Sequence, residues 1–116
     1  MRHRKRGRKF GRERDQRRAL MRSIASSFFM LGRIETTEAK AKALRPFAEK
    51  IITRAKKETL ATRRILRSSF SDVVVKKIFE HARAFSIRPG GYTRIVKKDV
   101  RISDAAKIAI LEFVKS

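Results

Sequence analysis

Two histidines, His3 and His81, are the first residues to examine for chemistry, because imidazole is the side chain best suited to moving protons near neutral pH. Neither has a Cys, Asp or Glu at metal-ligand spacing, so both read as surface histidines and no metal site is expected. The carboxylates fare no better as an acid and base pair. Glu13 precedes Arg17, Glu38 precedes Lys42 and Asp72 precedes Lys76, each the acid-first arrangement of an i,i+4 surface ion pair on a helix. Gly90 and Gly91 do not belong to a phosphate loop, since neither GxGxxG nor GxxxxGK[ST] occurs. With no Cys in the chain, thiolate chemistry and disulfides are excluded as well. The sequence therefore predicts no enzyme, no cofactor and no small-molecule substrate.

Binding needs a different inventory, and here the chain is rich. Its 116 residues hold 32 Lys and Arg against 11 Asp and Glu, a formal charge of +21 that would repel itself unless a polyanion neutralised it. Ten of the first eighteen residues, MRHRKRGRKFGRERDQRR, are Arg or Lys, and only Glu13 and Asp15 oppose them. Removing that stretch still leaves +13, so the folded part is expected to touch the partner too. Nineteen of the basic residues are Arg, whose planar fork grips phosphate bidentately and stacks on exposed bases, a preference that leans toward RNA. For Tyr92, stacking on a base and packing within a strand with the hydroxyl at the surface stand as equal readings. A basic run alone would also fit a solvated surface or a nuclear-import signal. No run approaches the roughly 18 apolar residues of a membrane-spanning helix, and an intracellular protein with no membrane partner is expected.

Hydrophobic residues make up 41% of the chain and include eight Phe, enough for a thin core. Residues 1–15, with Gly7 and Gly11 among the charges, read as an arm that is disordered until bound, and residues 16–116 as one globular domain. From Gln16, Leu20, Met21, Ile24, Phe28 and Leu31 recur at helical spacing, with Gly32 placed to end the helix. RIETT (33–37) reads as a strand leading to Thr37, the cap of a second helix buried along Ala41, Leu44, Ala48, Ile51, Ile52 and Ala55. Pro46 should kink that helix near residues 42–45 rather than split it, because the stripe keeps its phase. A third helix over 59–69, with Leu60, Ile65 and Leu66, would be capped by Thr59. A fourth, with Val74, Val75, Ile78, Phe79 and Ala82, would be capped by Ser71. SIRPGG is a loop by composition, and the remainder reads as two strands around a turn near residues 103–106. The last strand has two similar faces, which a covering helix would explain.

Three blocks carry a resemblance: MRHRKRGRKFGR at the start, IETTEAKAKALRPFAEKIITRAK in the middle and GGYTRIVK near the end. In that order and spacing the chain resembles the L-seventeen family of bacterial large-ribosomal-subunit proteins over nearly its whole length. The resemblance implies a structural, non-catalytic protein of the cytoplasmic ribosome whose partners are 23S rRNA, near the peptide-exit side, and neighbouring large-subunit proteins. Pattern and resemblance together set the expected fold as α+β: about four helices packed on a small mixed three-stranded sheet, with a basic extended N-terminal arm. Positions matching the family blocks are RNA-contact candidates: Arg2, His3, Arg4 and Lys5; Thr36, Thr37, Lys40 and Lys42; Gly90, Gly91, Tyr92, Thr93 and Arg94. Charge adds Arg6, Arg8, Lys9, Arg12, Arg17, Arg18 and Arg88. The chain departs from the family pattern at HARAFSIRPGG (81–91). The competing reading is a histone-like DNA-compacting protein, which the same charge would serve; a membrane-surface peptide would gather its charge on one helix, unlike this chain.

Overall fold

The structure, a computed structural model, describes the backbone of residues 2–115 and the side chains of residues 13–115. Its elements follow in the order α1 (Arg2–Leu31), β1 (Arg33–Thr37), α2 (Glu38–Ala55), α3 (Leu60–Arg67), α4 (Asp72–Ala84), β2 (Thr93–Val100) and β3 (Lys107–Phe113). The helix expected from Gln16 thus runs back through the basic stretch instead of giving way to extended chain. Arg, Lys and Glu are good helix formers and no Pro interrupts them.

α1 reaches the core through Ala25, Phe28 and Phe29, with Met21 and Ile24 packed beside them. Leu20 and Leu31, expected on that stripe, are exposed instead, Leu31 by 72%. The true stripe runs along 21, 25 and 28, at three- and four-residue steps, and its next step falls on Gly32, which leaves Leu31 turned outward. Gly32 ends the helix as expected: its φ is +78°, and its N–H donates to the Phe28 carbonyl at 2.7 Å.

β1 follows at once, and Thr37 closes it while its hydroxyl accepts from the Lys40 N–H, capping α2. α2 buries Ala41, Leu44, Ala48, Ile52 and Ala55 and continues unbroken past Pro46. α3 is capped by Thr59, whose Oγ1 accepts from the Thr62 N–H at 3.1 Å. Its buried residues are Thr62 and Leu66; Leu60 and Ile65 face outward, because so short a helix touches the rest along one narrow line. In α4 the valines and Ile78, Phe79 and Ala82 behave as their spacing predicts, apart from an exposed Val73. Ser71 occupies the cap position of α4 but makes no capping bond with its side chain.

The sheet has the order β1-β3-β2, and both pairings are antiparallel. This corrects the expectation of a mixed sheet. β2 and β3 are joined by a tight hairpin, which forces them antiparallel, and β1 runs antiparallel to β3 on its other side. The parallel relation that suggests a mixed sheet holds only between β1 and β2, which never touch. On the inner face Leu111 lies between Ile34 and Ile95 beneath the helices, and Ala109 between Thr36 and Lys97, whose long side chain reaches out to solvent. Phe113, at the end of β3, stacks on Phe28 (4.4 Å between centroids) and on the His81 ring (4.2 Å). His81 is therefore a packed residue and not the surface histidine expected, and its Nε2 is 2.8 Å from the Phe29 carbonyl oxygen.

Candidate nucleic-acid interface

A site for a polyanion is built from cations that the fold leaves without a counter-ion, so the ion pairs decide where it lies. On the sheet the cations are answered. Arg94 pairs with Glu112 at 2.6 Å, Lys98 with Glu35 at 3.2 Å, Lys97 with Glu38 at 3.7 Å and Arg101 with Asp104 at 2.7 Å. Glu38 is shared with Lys42 at 2.9 Å, and the hydrogen bond from Lys42 holds its carboxyl below the usual range, helped by Lys97 and Lys107. Asp72 pairs with Arg67 at 3.1 Å, not with Lys76 as its spacing predicts.

On α1 and α2 the situation is reversed. Arg14, Arg17 and Arg18 are exposed on α1, and Lys50, Arg54 and Lys57 on or just after α2. No ion pair reaches any of them among the described residues. The α2 trio recurs at four and three residues, the same period that places Ala41, Leu44 and Ala48 inward, so one amphipathic pattern makes both the core and the charged face. On the sheet side Arg33 and Lys107 are the cations that lack ion-pair partners among the described residues.

Residues 86–92 fold against the C-terminal half of α2. The Arg88 Nε donates to the Gly90 carbonyl at 3.1 Å, and the Lys56 ammonium donates to the Arg88 carbonyl. The Tyr92 N–H donates to Glu49 at 2.7 Å, and its hydroxyl lies 3.1 Å from that of Thr53. Lys56 sits over the Tyr92 ring at 4.7 Å. Burial pushes the Tyr92 hydroxyl up, but the neighbouring Lys56 ammonium and Thr53 hydroxyl outweigh it, and the net direction is down. Gly91 holds a φ of +63°, a conformation side-chain-bearing residues rarely adopt, and this turns the chain from the loop into β2. Between this loop and α2 lies an open groove of about 640 Å³.

The sequence candidates separate into clusters instead of one site. Arg17 and Arg18 border a depression with Met21, Arg22 and Phe47. Thr36, Thr37 and Lys40 border another with Lys98, Asp99 and Arg101 at the sheet edge. Arg88, Gly90 and Gly91 border the α2 groove or its rim. Tyr92 and Thr93 are core residues, 1% and 2% exposed, so neither offers a side chain to an RNA surface. Alternation explains the miss: the GGYTR block enters a strand whose first residues point under the helices. Lys42 and Arg94 are exposed but engaged with Glu38 and Glu112. The side chains of Arg2, His3, Arg4, Lys5, Arg6, Arg8, Lys9 and Arg12 lie outside the described residues. Lys50, Arg54 and Lys57 were not among the candidates, though their position opposite the α2 stripe could have found them.

No cluster of His, Cys, Asp and Glu able to hold a metal occurs among the described residues, and no helix there is long and apolar enough to cross a membrane. Comparison with known proteins shows the family to which this basic chain belongs. The family model of ribosomal protein L17 matches residues 20–114, from the middle of α1 to just past β3. The chain belongs to the ribosomal protein L17 family. Among L17 relatives, the large ribosomal subunit protein bL17 of Thermodesulfovibrio yellowstonii is 51% identical over 98% of this chain and 87% of its own length. That of Gemmatimonas aurantiaca is 48% identical over the whole of both chains. That of Neorickettsia sennetsu is 45% identical over 98% of this chain and the whole of its own. An L17 family member is a ribosomal structural protein.

Proposed function

We propose that this chain is a structural constituent of the bacterial large ribosomal subunit that binds 23S rRNA and braces segments of it distant in sequence, near the peptide-exit side. The observation that carries the binding is the set of exposed cations on α1 and α2 left without carboxylate partners, since phosphates supply what the fold does not. The placement rests on the family resemblance. The basic N-terminal stretch, the first turns of α1, acts as an arm that is fixed in place by RNA contact, with Arg2, His3, Arg4, Lys5, Arg6, Arg8, Lys9 and Arg12 meeting phosphates. Arg17, Arg18, Arg88 and the Gly90–Gly91 backbone extend that contact onto the folded domain, where neighbouring large-subunit proteins also pack.

The test is sedimentation of a native lysate through sucrose gradients at moderate and high salt, following the chain by mass spectrometry. Co-migration with the large subunit that survives the high-salt wash is expected. Recovery with nucleoid DNA would favour the DNA-compacting reading instead. In the same setting, Arg4→Ala combined with Arg8→Ala should lower incorporation into subunits; unchanged incorporation would remove the arm from the mechanism.

A further inference from the structure

We propose that the groove between α2 and the loop entering β2 holds a single unpaired nucleotide of the bound RNA, base inward and phosphate on the rim. This rests on the RNA-binding reading above and adds the chemical form of the ligand. The groove is lined by Pro46, Lys50, Thr53, Arg54, Gly91 and Tyr92, among others. Its size, about 640 Å³, falls within the roughly 300–1,000 Å³ of small-ligand sites. A lone phosphate would leave most of it empty, and a duplex is too wide to enter. A base extruded from its helix fits, because such bases are bound by flat apolar surfaces with a few polar groups at the edge.

The groove supplies both kinds of surface. Its floor is made by the Pro46 ring, the Thr53 and Thr62 side chains and the side-chain-free backbone at Gly90 and Gly91, with the covered Tyr92 ring beneath them. Its rim carries Lys50, Arg54 and Lys57, which have no ion-pair partner among the described residues. The acid of the lining, Glu49, is already engaged: it accepts from the Tyr92 N–H at 2.7 Å and faces Arg45 at 3.7 Å. Its charge is thus turned to holding the loop and does little to repel a phosphate at the rim.

The test uses the full chain and two RNA hairpins, identical except that one carries a single bulged 2-aminopurine and the other is fully paired with 2-aminopurine within the stem. The bulged hairpin should bind about tenfold tighter, with its 2-aminopurine shielded from acrylamide quenching. Gly90→Leu should abolish both differences, bringing the bulged hairpin down to the affinity and quenching of the paired one; open space surrounds a Cβ at residue 90, and its φ is not positive, so the variant keeps its fold. Arg54→Gln should weaken the bulged hairpin more than the paired one. Equal affinity and equal quenching for the two hairpins would overturn the groove assignment while leaving RNA binding intact. If neither hairpin competes with duplex DNA, the RNA reading itself fails.

Discussion

The exposed surface of α1 and α2 and the outer face of the sheet are both rich in cations, yet they differ in what answers the charge. On the sheet, β2 brings Arg94 beside Glu112 of the neighbouring β3, where cross-strand spacing makes the pair close, and the long Lys98 side chain reaches across β3 to Glu35 of β1. Between them lie Val96 and Ile110, so this face is apolar at its middle and nearly neutral around it. On the helices, no carboxylate pairs with Arg17, Arg18, Lys50, Arg54 or Lys57 among the described residues: Glu13 does not form the pair its spacing to Arg17 predicts, and Glu58 is taken by Arg83. A total charge of +21 therefore describes no single surface. Where a basic protein presents its charge to a partner is set by where the acids are, more than by where the bases are.

The strongest way to test this division is to damage what separates the two regions. Leu111 lies on the inner face of the central strand and is fully buried. Leu111→Ala should cost about 2–5 kcal/mol in urea unfolding, whereas Val96→Ser on the outer face should stay within roughly 0.5 kcal/mol. Similar losses at both would mean that the outer face is also core.

Charge substitution comes next and addresses the comparison directly. Replacing Lys50, Arg54 and Lys57 together by Gln should lower the slope of log affinity for RNA against log salt by about 2–3, because each phosphate neutralised by a cation contributes roughly 0.7–0.9 to that slope. The matching triple replacement of Arg94, Lys97 and Lys98 should change the slope by less than about one. Equal changes would erase the distinction between helices and sheet.

A smaller effect sharpens the helical side. Thr59→Ala removes a capping bond seen at 3.1 Å and should cost about 1 kcal/mol, while Ser71→Ala, which removes no such bond, should cost a few tenths. Thermal melts of the two variants make the comparison.

Smallest of all is the pH response of the paired carboxylates. A hydrogen bond from Lys42 lowers the Glu38 carboxyl, one from Arg101 lowers Asp104, and one from Arg83 lowers Glu58. A depressed folded pKa gives stability that is present above the unfolded value, near 4, and lost as pH falls through the folded one. Glu58 and Asp104 face solvent, so their contribution is slight, and the Glu38 side chain, 14% exposed, is the most covered of the three. Carboxyl titration by NMR should find all three below the ordinary range.

Much of the fold was legible in the sequence, because its signals were local. RIETT, the Thr37 and Thr59 caps, the α2 stripe, the Gly32 stop and the 103–106 turn each depend on residues within a few positions of one another. What was not legible depends on distant partners. The strand directions required knowing that β3 sits between β1 and β2, and the burial of Tyr92 required knowing that Glu49 and Thr53 wait beneath it. The candidate interface divides in the same way. Basic residues can be counted along the chain, but Arg94 is occupied by Glu112, eighteen residues away, while Arg54 is left open, and no local pattern separates them.

The centre of the sheet is its last strand in chain order, since β3 alone bonds to both β1 and β2. During synthesis, then, every helix and both flanking strands leave the ribosome before the residues that join them exist outside it. The basic helices of α1 and α2 are presented to nearby nucleic acid while the chain still lacks the strand that completes its core. Contact with a polyanion at that stage would precede folding, and the arrival of β3 would close the domain around a surface already engaged.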